Sequence, residues 1–276
     1  MAETLQLAVF GHPVTHSQSP AIHARFAESV GLKINYQALD CPAGRLAAAL
    51  QTFRANGGHG CNLTVPLKTE GLALASHISP AAELAGACNT LVWSADGWQA
   101  DNTDGAGLMA DLKRQQVGLQ QRRILILGAG GAVAGILPAL IEQRPSALVL
   151  VNRSVEKAQE LAQRYSTLFS IRVLGTGKNS IDEPFDLMIQ GTSLGHQGRR
   201  PEIDPAWLKP ESIVYDLNYG QAHEPLRGWC EQHALRSIDG SGMLVEQAAM
   251  AFELFTGHRP ETDAVVEWIR AGLTSK

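Results

Sequence analysis

"RRILILGAGGAVAGILPALI", residues 122–141, decides the fold. An apolar run of strand length ends at Gly128, glycine returns at 130 and 131, and an apolar stretch of helical length follows. Residues 124–141 carry no charge and are nearly long enough to span a bilayer. Their glycines and Pro138 instead divide them into strand, turn and helix. Glycine in such a turn lets the backbone bend tightly and approach a pyrophosphate, whose charge is met by the free N–H groups of the helix N-terminus. Gly128 and Gly130 fit the first two positions of G-x-G-x-x-G, and the third falls on Val133. Gly128, Ala129, Gly130, Gly131 and Ala132 are therefore expected to hold a dinucleotide.

Downstream, "ALVLVN" (147–152) reads as the next strand and 154–165 as a helix with Ser154 as its N-cap. A site for NAD usually places an acid at this strand tip to hold the ribose hydroxyls. Here the tip is Asn152, Arg153 and Ser154, with Lys157 one turn on. Arg153 can hydrogen-bond a 2′-phosphate and Lys157 adds charge, so the expected cofactor is NADP(H) rather than NAD. Further strands are expected at 186–190 and 212–218, and a helix over 243–257. Upstream, 5–11, 35–40, 60–66 and 88–93 read as strands alternating with helices near 20–30 and at 43–55. That alternation predicts an α/β protein with mostly parallel sheets.

Composition limits the partners. With 276 residues, 45% hydrophobic and 18% charged, the chain has room for two domains with ordinary cores. A net charge of −4 and the lack of Lys/Arg blocks argue against nucleic acid and membrane surfaces. Cys41, Cys61, Cys88 and Cys230 form no C-x-x-C pair, so they read as scattered reduced thiols. The N-terminus lacks the basic start of a signal peptide, and the expected location is cytoplasmic. His12 and His16 are separated by Pro13 and no acidic helix follows, so no metal is expected.

Four polar clusters stand at expected strand ends or in loops. They are "GHPVTHSQSP" (11–20) with Ser17 and Ser19, "NLTVPLK" (62–68) with Thr64 and Lys68, "GACNT" (86–90) with Asn89, and "DNTDG" (101–105) with Asp104. Singly, each has a structural explanation as a cap or turn. In this order, ahead of GAGGA and Asn152-Arg153-Ser154 and closing on "DGSGMLVEQAA" (239–249), they resemble the shikimate dehydrogenase family. The resemblance runs along nearly the whole chain. It implies an oxidoreductase that uses NADPH to reduce 3-dehydroshikimate reversibly to shikimate, a step of chorismate and aromatic amino acid biosynthesis.

By that resemblance, Lys68 and Asp104 match the family's catalytic pair. Ser17 and Ser19 match hydroxyls that bind the substrate carboxylate, and Thr64, Asn89, Asp104, Tyr219 and Gln247 match further substrate ligands. Leu217 stands where the family often has methionine beside the nicotinamide, and Gly240 matches a backbone contact there. The residue types suit the chemistry: a polyhydroxylated acid needs short polar ligands, and an ammonium can protonate the oxygen that hydride transfer leaves charged. Several departures from the family's habit stand out. Ala134 replaces an arginine, Lys157 replaces a second arginine, and Gln190-Gly191-Thr192 stands for Asn-Ala-Thr.

The expected architecture is a Rossmann-like cofactor domain at about 106–239 and a discontinuous substrate domain of 1–105 completed by helices in 240–276, with the active site in the cleft between them. A homodimer is the oligomeric alternative to a monomer. Two rival activities remain: a quinate/shikimate dehydrogenase with relaxed cofactor use, and a non-catalytic sensor of NADP or shikimate. Retention of both Lys68 and Asp104 argues against the sensor.

Overall fold

The computed structural model describes residues 4–177 and 181–274. It divides into two compact units, Met1–Ala110 with Leu244–Glu267, and Asp111–Met243 with Trp268–Lys276.

The first unit opens with strand β1 (Leu5–Gly11), helix α1 (Ser19–Ser29), β2 (Ile34–Asp40), α2 (Leu46–Ala55) and β3 (Gly58–Leu63). It continues through α3 (Lys68–Ala73), β4 (His77–Ile78), α4 (Pro80–Ala85), β5 (Thr90–Ser94), β6 (Gly97–Asp101) and α5 (Asp104–Arg114). The strands form one sheet in the order β2-β1-β3-β5-β6-β4. β1 pairs in parallel with β2 and β3, but β5 runs antiparallel to both β3 and β6. This sheet is thus less parallel than the alternation predicts. Ser94–Gly97 closes a hairpin between β5 and β6, with the Ser94 hydroxyl donating to Gly97 O at 3.0 Å. "GWQAD" is not among the strands expected from the sequence, although Asp96-Gly97 ahead of it is a hairpin signal. β3 also ends three residues before Pro66, and the chain turns there, with Leu67 N donating to Thr64 O at 2.8 Å.

The second unit carries β7 (Arg123–Leu127), α6 (Gly131–Glu142), β8 (Ala147–Asn152), α7 (Val155–Gln163), β9 (Ile171–Gly175), β10 (Phe185–Gln190), β11 (Leu208–Asp216), α8 (Glu224–Gln232) and β12 (Arg236–Ile238). Its sheet is ordered β12-β11-β10-β7-β8-β9, and every pair is parallel. Strands covered on both faces read as unbroken apolar runs, as Ile124–Leu127 and Leu148–Val151 do, and all of these are buried. The order reverses between β7 and β10. Dinucleotides bind at such a reversal, beyond the carboxyl ends of the strands. The chain closes with α9 (Ser241–Thr256) and α10 (Asp263–Thr274).

Among the described residues no helix is long and apolar enough to cross a membrane, and no cluster of His, Cys, Asp or Glu could hold a metal ion. His12 Nδ1 donates a 2.8 Å hydrogen bond to Asp40 Oδ2 at the surface. The four cysteines are free and buried. Burial pushes the thiols of Cys88 and Cys230 up to about 12.

The core of the first unit contains one ionisable surprise. His23 on α1 is fully buried and stacks on Tyr36, ring centroids 4.2 Å apart, with Phe26, Phe252 and Phe255 around it. Neither ring nitrogen has a hydrogen-bond partner among the described residues. Burial lowers its pKa from 6.5 to about 3, so the folded chain keeps the ring neutral. The unfolded chain binds a proton below about pH 6.5. This group's contribution is therefore constant above that pH and is lost as pH falls towards 3, at about 1.4 kcal/mol per pH unit. His23→Phe removes the loss. In urea unfolding, its advantage over the parent chain is expected to grow by about 2 kcal/mol between pH 7 and pH 5. An advantage that does not change with pH would show that His23 titrates normally.

Candidate active site and cofactor site

The register of the first sheet gathers the polar clusters. Asn62 on β3 faces Thr90 on β5, and Thr90 faces Asp101 on β6. The carboxyl ends of β3 and β6 and the amino end of β5 therefore share one edge, from which Lys68, Asn89 and Asp104 emerge. Lys68 begins α3, and its backbone carbonyl accepts from Cys88 N at 2.9 Å. Gly71 lets α3 lie this close to the sheet, since a methyl group there would meet Leu63 Cδ1 at 2.0 Å. Asp104 begins α5, and its N–H donates to Asn102 Oδ1 at 3.1 Å.

Lys68 Nζ donates to Asp104 Oδ2, and both side chains are mostly buried, 12% and 6% exposed. Removing one partner of an ion pair this withdrawn from water costs far more than at the surface, because the other charge is left buried and unpaired. Asn89, 2% exposed, donates through Nδ2 towards Asp104 Oδ1 at 2.9 Å, Thr103 Oγ1 at 2.8 Å and Gln247 Oε1 at 3.1 Å. Two amide hydrogens face three acceptors, which leaves one acceptor over for a ligand. Gln247 on α9 reaches this cluster because α5 and α9 cross at Gly107, where a methyl group would come within 2.8 Å of Gln247 N. Thr103 also donates to Gln247 O at 3.0 Å.

The other expected ligands of this unit lie at strand and helix ends. Ser17 is half-buried, Ser19 is buried at the start of α1, and Ser19 N donates to Ser17 Oγ at 3.3 Å. Pro20 has no N–H and Ser19 N is already taken by Ser17 Oγ, so the two hydroxyls rather than the helix turn make a place suited to a carboxylate. Half-buried Thr64 packs against the end of β1. A methyl group on Gly11 would stand 2.3 Å from Thr64 Cγ2, so the approach needs glycine.

In the second unit, Gly128 ends β7 with φ +110°, a conformation that favours glycine. Gly130 is the N-cap of α6 and makes no side-chain cap; a methyl group on it would meet nothing within 4 Å. Ala129, Gly131 and Ala132 complete the turn and the first residues of α6. Uncapped N–H groups with open space beside them, at the reversal of strand order, fit a pyrophosphate. Thr192, just beyond β10, adds a buried hydroxyl with no hydrogen-bond partner among the described residues. At the tip of β8, Asn152 Nδ2 donates to Ser154 O at 2.8 Å, and Ser154 caps α7 by accepting from Lys157 N at 3.4 Å. Arg153 and Lys157 are exposed. Glu156, which sequence reasoning passed over, accepts from Ser154 Oγ at 3.1 Å. Leu217 N donates to Gln190 O, and Gly240 N to Asn218 O. A methyl group on Gly240 would stand 2.5 Å from Leu217 O, so this contact too requires glycine. Tyr219 follows β11 and is half-buried, and burial raises its phenol pKa.

The missing third glycine has a structural counterpart. Val133 is fully buried, and a methyl group on Gly191 would meet Val133 Cγ2 at 2.5 Å. The larger residue on α6 is accommodated by the smaller one after β10. Gly191→Ala is expected to destabilise the protein by about 1–3 kcal/mol through overpacking, and adding Val133→Ala to recover at least about 1 kcal/mol of it. Urea unfolding of the two single variants and the double variant measures this coupling. Simple additivity would refute the pairing.

Sequence reasoning missed Tyr36, Asn62, Thr90 and Thr103. Asn62 stands two residues before Thr64 in "NLT", and Thr90 follows Asn89 in "NT". Only the cross-strand register places them together.

Residues 9–91 match the shikimate dehydrogenase substrate binding domain, 111–197 the shikimate/quinate 5-dehydrogenase family and 240–267 the shikimate 5′-dehydrogenase C-terminal domain. The NADP(+) shikimate dehydrogenase of Methylibium petroleiphilum is 42% identical over 274 residues, 96% of this chain and 93% of that protein. The chain belongs to the shikimate dehydrogenase family. A second shikimate dehydrogenase (NADP(+)), from Aeromonas salmonicida, is 43% identical over 96% of this chain and 97% of its own. Among solved members of the family, the shikimate 5-dehydrogenase of Thermus thermophilus, in complex with NADP(H) and shikimate, superposes with a TM-score of 0.83. It is 32% identical, covering 97% of this chain and 99% of that one.

Proposed function

We propose that this chain interconverts 3-dehydroshikimate and shikimate with NADP(H), through proton transfer at Lys68. The observation that carries the reading is the buried Lys68–Asp104 pair, with Asn89 and Gln247 beside it, in a chain that matches NADP-dependent shikimate dehydrogenases over nearly its whole length. The first unit serves as the substrate domain and the second as the cofactor domain.

The bound nicotinamide supplies the hydride. In reduction, negative charge develops on the ketone oxygen as its carbon accepts that hydride. The Lys68 ammonium stabilises this charge and gives the oxygen its proton. In oxidation the neutral amine takes the alcohol proton while the hydride leaves the same carbon. Asp104 fixes the Lys68 side chain, and Asn89 fixes Asp104. Ser17 and Ser19 hold the carboxylate, while Thr64, Asn89, Gln247 and Tyr219 bind the rest of the substrate. In the cofactor domain Gly128–Ala132 hold the pyrophosphate, Asn152–Ser154 and Lys157 the ribose phosphate, and Leu217 and Gly240 flank the nicotinamide.

Initial rates with shikimate and with quinate, each with NADP⁺ and NAD⁺, test the reading through nicotinamide absorbance. Turnover confined to shikimate with NADP⁺ is the expected result. Comparable rates with quinate or NAD⁺ would move the chain to the broader quinate/shikimate class. Ligand binding without turnover would make it a sensor.

A further inference from the structure

Behind Asn89 runs a one-directional chain of hydrogen bonds that the proposed reaction does not use directly. The Tyr36 phenol donates to Asn62 Oδ1 at 2.7 Å. Asn62 Nδ2 donates to the Asn89 carbonyl and to Thr90 Oγ1, both at 3.1 Å. Thr90 Oγ1 donates to Asn89 Oδ1 at 2.9 Å, where Thr103 N also donates at 2.9 Å. Asn62, Thr90 and Asn89 are 7%, 0% and 2% exposed, so water does not compete.

The direction of each bond is fixed by its partner. The Asn89 carbonyl can only accept, so Asn62 must present Nδ2 to it, which turns Asn62 Oδ1 to the Tyr36 hydroxyl. Thr90 Oγ1 then receives a hydrogen from Asn62, and its own hydrogen goes to Asn89 Oδ1. With Oδ1 held by two donors, Asn89 must present Nδ2 to Asp104 Oδ1, which leaves Asp104 Oδ2 for Lys68.

We infer that Thr90 is a positioning residue for the Lys68–Asp104 pair: its hydroxyl, oriented by Tyr36 and Asn62, holds the Asn89 amide with its donor face towards Asp104. This inference rests on the proposed shikimate oxidation. Turnover by the parent chain establishes that reaction first, so failure of the inference is separable from failure of the reading.

The test is Thr90→Val, which keeps the shape and removes the hydroxyl, beside Thr90→Ser, which keeps the hydroxyl. Thr90→Val is expected to lower kcat for shikimate about 10-fold, with KM for NADP⁺ unchanged, and Thr90→Ser to restore kcat to within about 3-fold. Tyr36→Phe, which retains the ring stacked on His23, is expected to lower kcat in the same direction and serves if Thr90→Val does not fold. The inference is overturned if kcat stays at the parent value while only the melting temperature falls. It is also overturned if only KM for shikimate rises, or if Thr90→Ser is as slow as Thr90→Val.

Discussion

Lys68→Met is expected to lower kcat by about 10³-fold or more while shikimate binding remains measurable by calorimetry. General acid–base groups contribute about 10²–10⁴-fold, and here the same group also meets the charge on the substrate oxygen. The substitution leaves Asp104 buried without its cation, and breaking such a pair costs about 3–5 kcal/mol of stability. Lost activity could then be mistaken for lost folding. The double variant Lys68→Met with Asp104→Asn separates the two, because a neutral amide has no need of the cation. Its stability is expected to return most of the way to the parent value, and its kcat to stay as low as that of Lys68→Met. Recovery of activity along with stability would show the pair to be structural.

The second large effect concerns cofactor choice. Arg153 and Lys157 are exposed at the tip of β8, where no acid replaces them. A charge-assisted hydrogen bond contributes about 1.5–3 kcal/mol, so replacing both with alanine is expected to lower kcat/KM for NADP⁺ about 10²-fold. NAD⁺ has no 2′-phosphate for these residues to meet, and its kcat/KM is expected to change less than about 3-fold. The ratio of the two cofactors is the quantity to measure, since it cancels any general loss of activity. An equal loss with both cofactors would assign Arg153 and Lys157 to folding or to the pyrophosphate instead.

The second unit was the more legible in the sequence. Its strands are buried on both faces, so "RILIL" and "ALVLVN" stand out as apolar runs, and the turn between them needs glycine at Gly128 for a reason visible in φ. Ser154 was readable as an N-cap because capping is local. The first unit hid more. β6 is a five-residue strand of a hairpin whose pairing depends on the partner strand, and alternation with helices said nothing of its antiparallel sense. Lys68, Asn89 and Asp104 were found through resemblance, since nothing local distinguishes a catalytic lysine from a solvated one. Thr90 and Asn62 were missed because their importance lies in register across β3 and β5. The exchange of size between Val133 and Gly191, 58 positions apart in the chain, is visible only in the packing.

The central claim is that Lys68, held by Asp104, exchanges the proton of the reacting hydroxyl. A crystal structure of the chain with shikimate and NADP⁺ tests it most directly. The account predicts the hydroxyl that is oxidised within hydrogen-bond distance, about 2.6–3.2 Å, of Lys68 Nζ. Its carboxylate should lie at Ser17 and Ser19. Shikimate bound with that hydroxyl away from Lys68, its proton facing another group, would contradict the account.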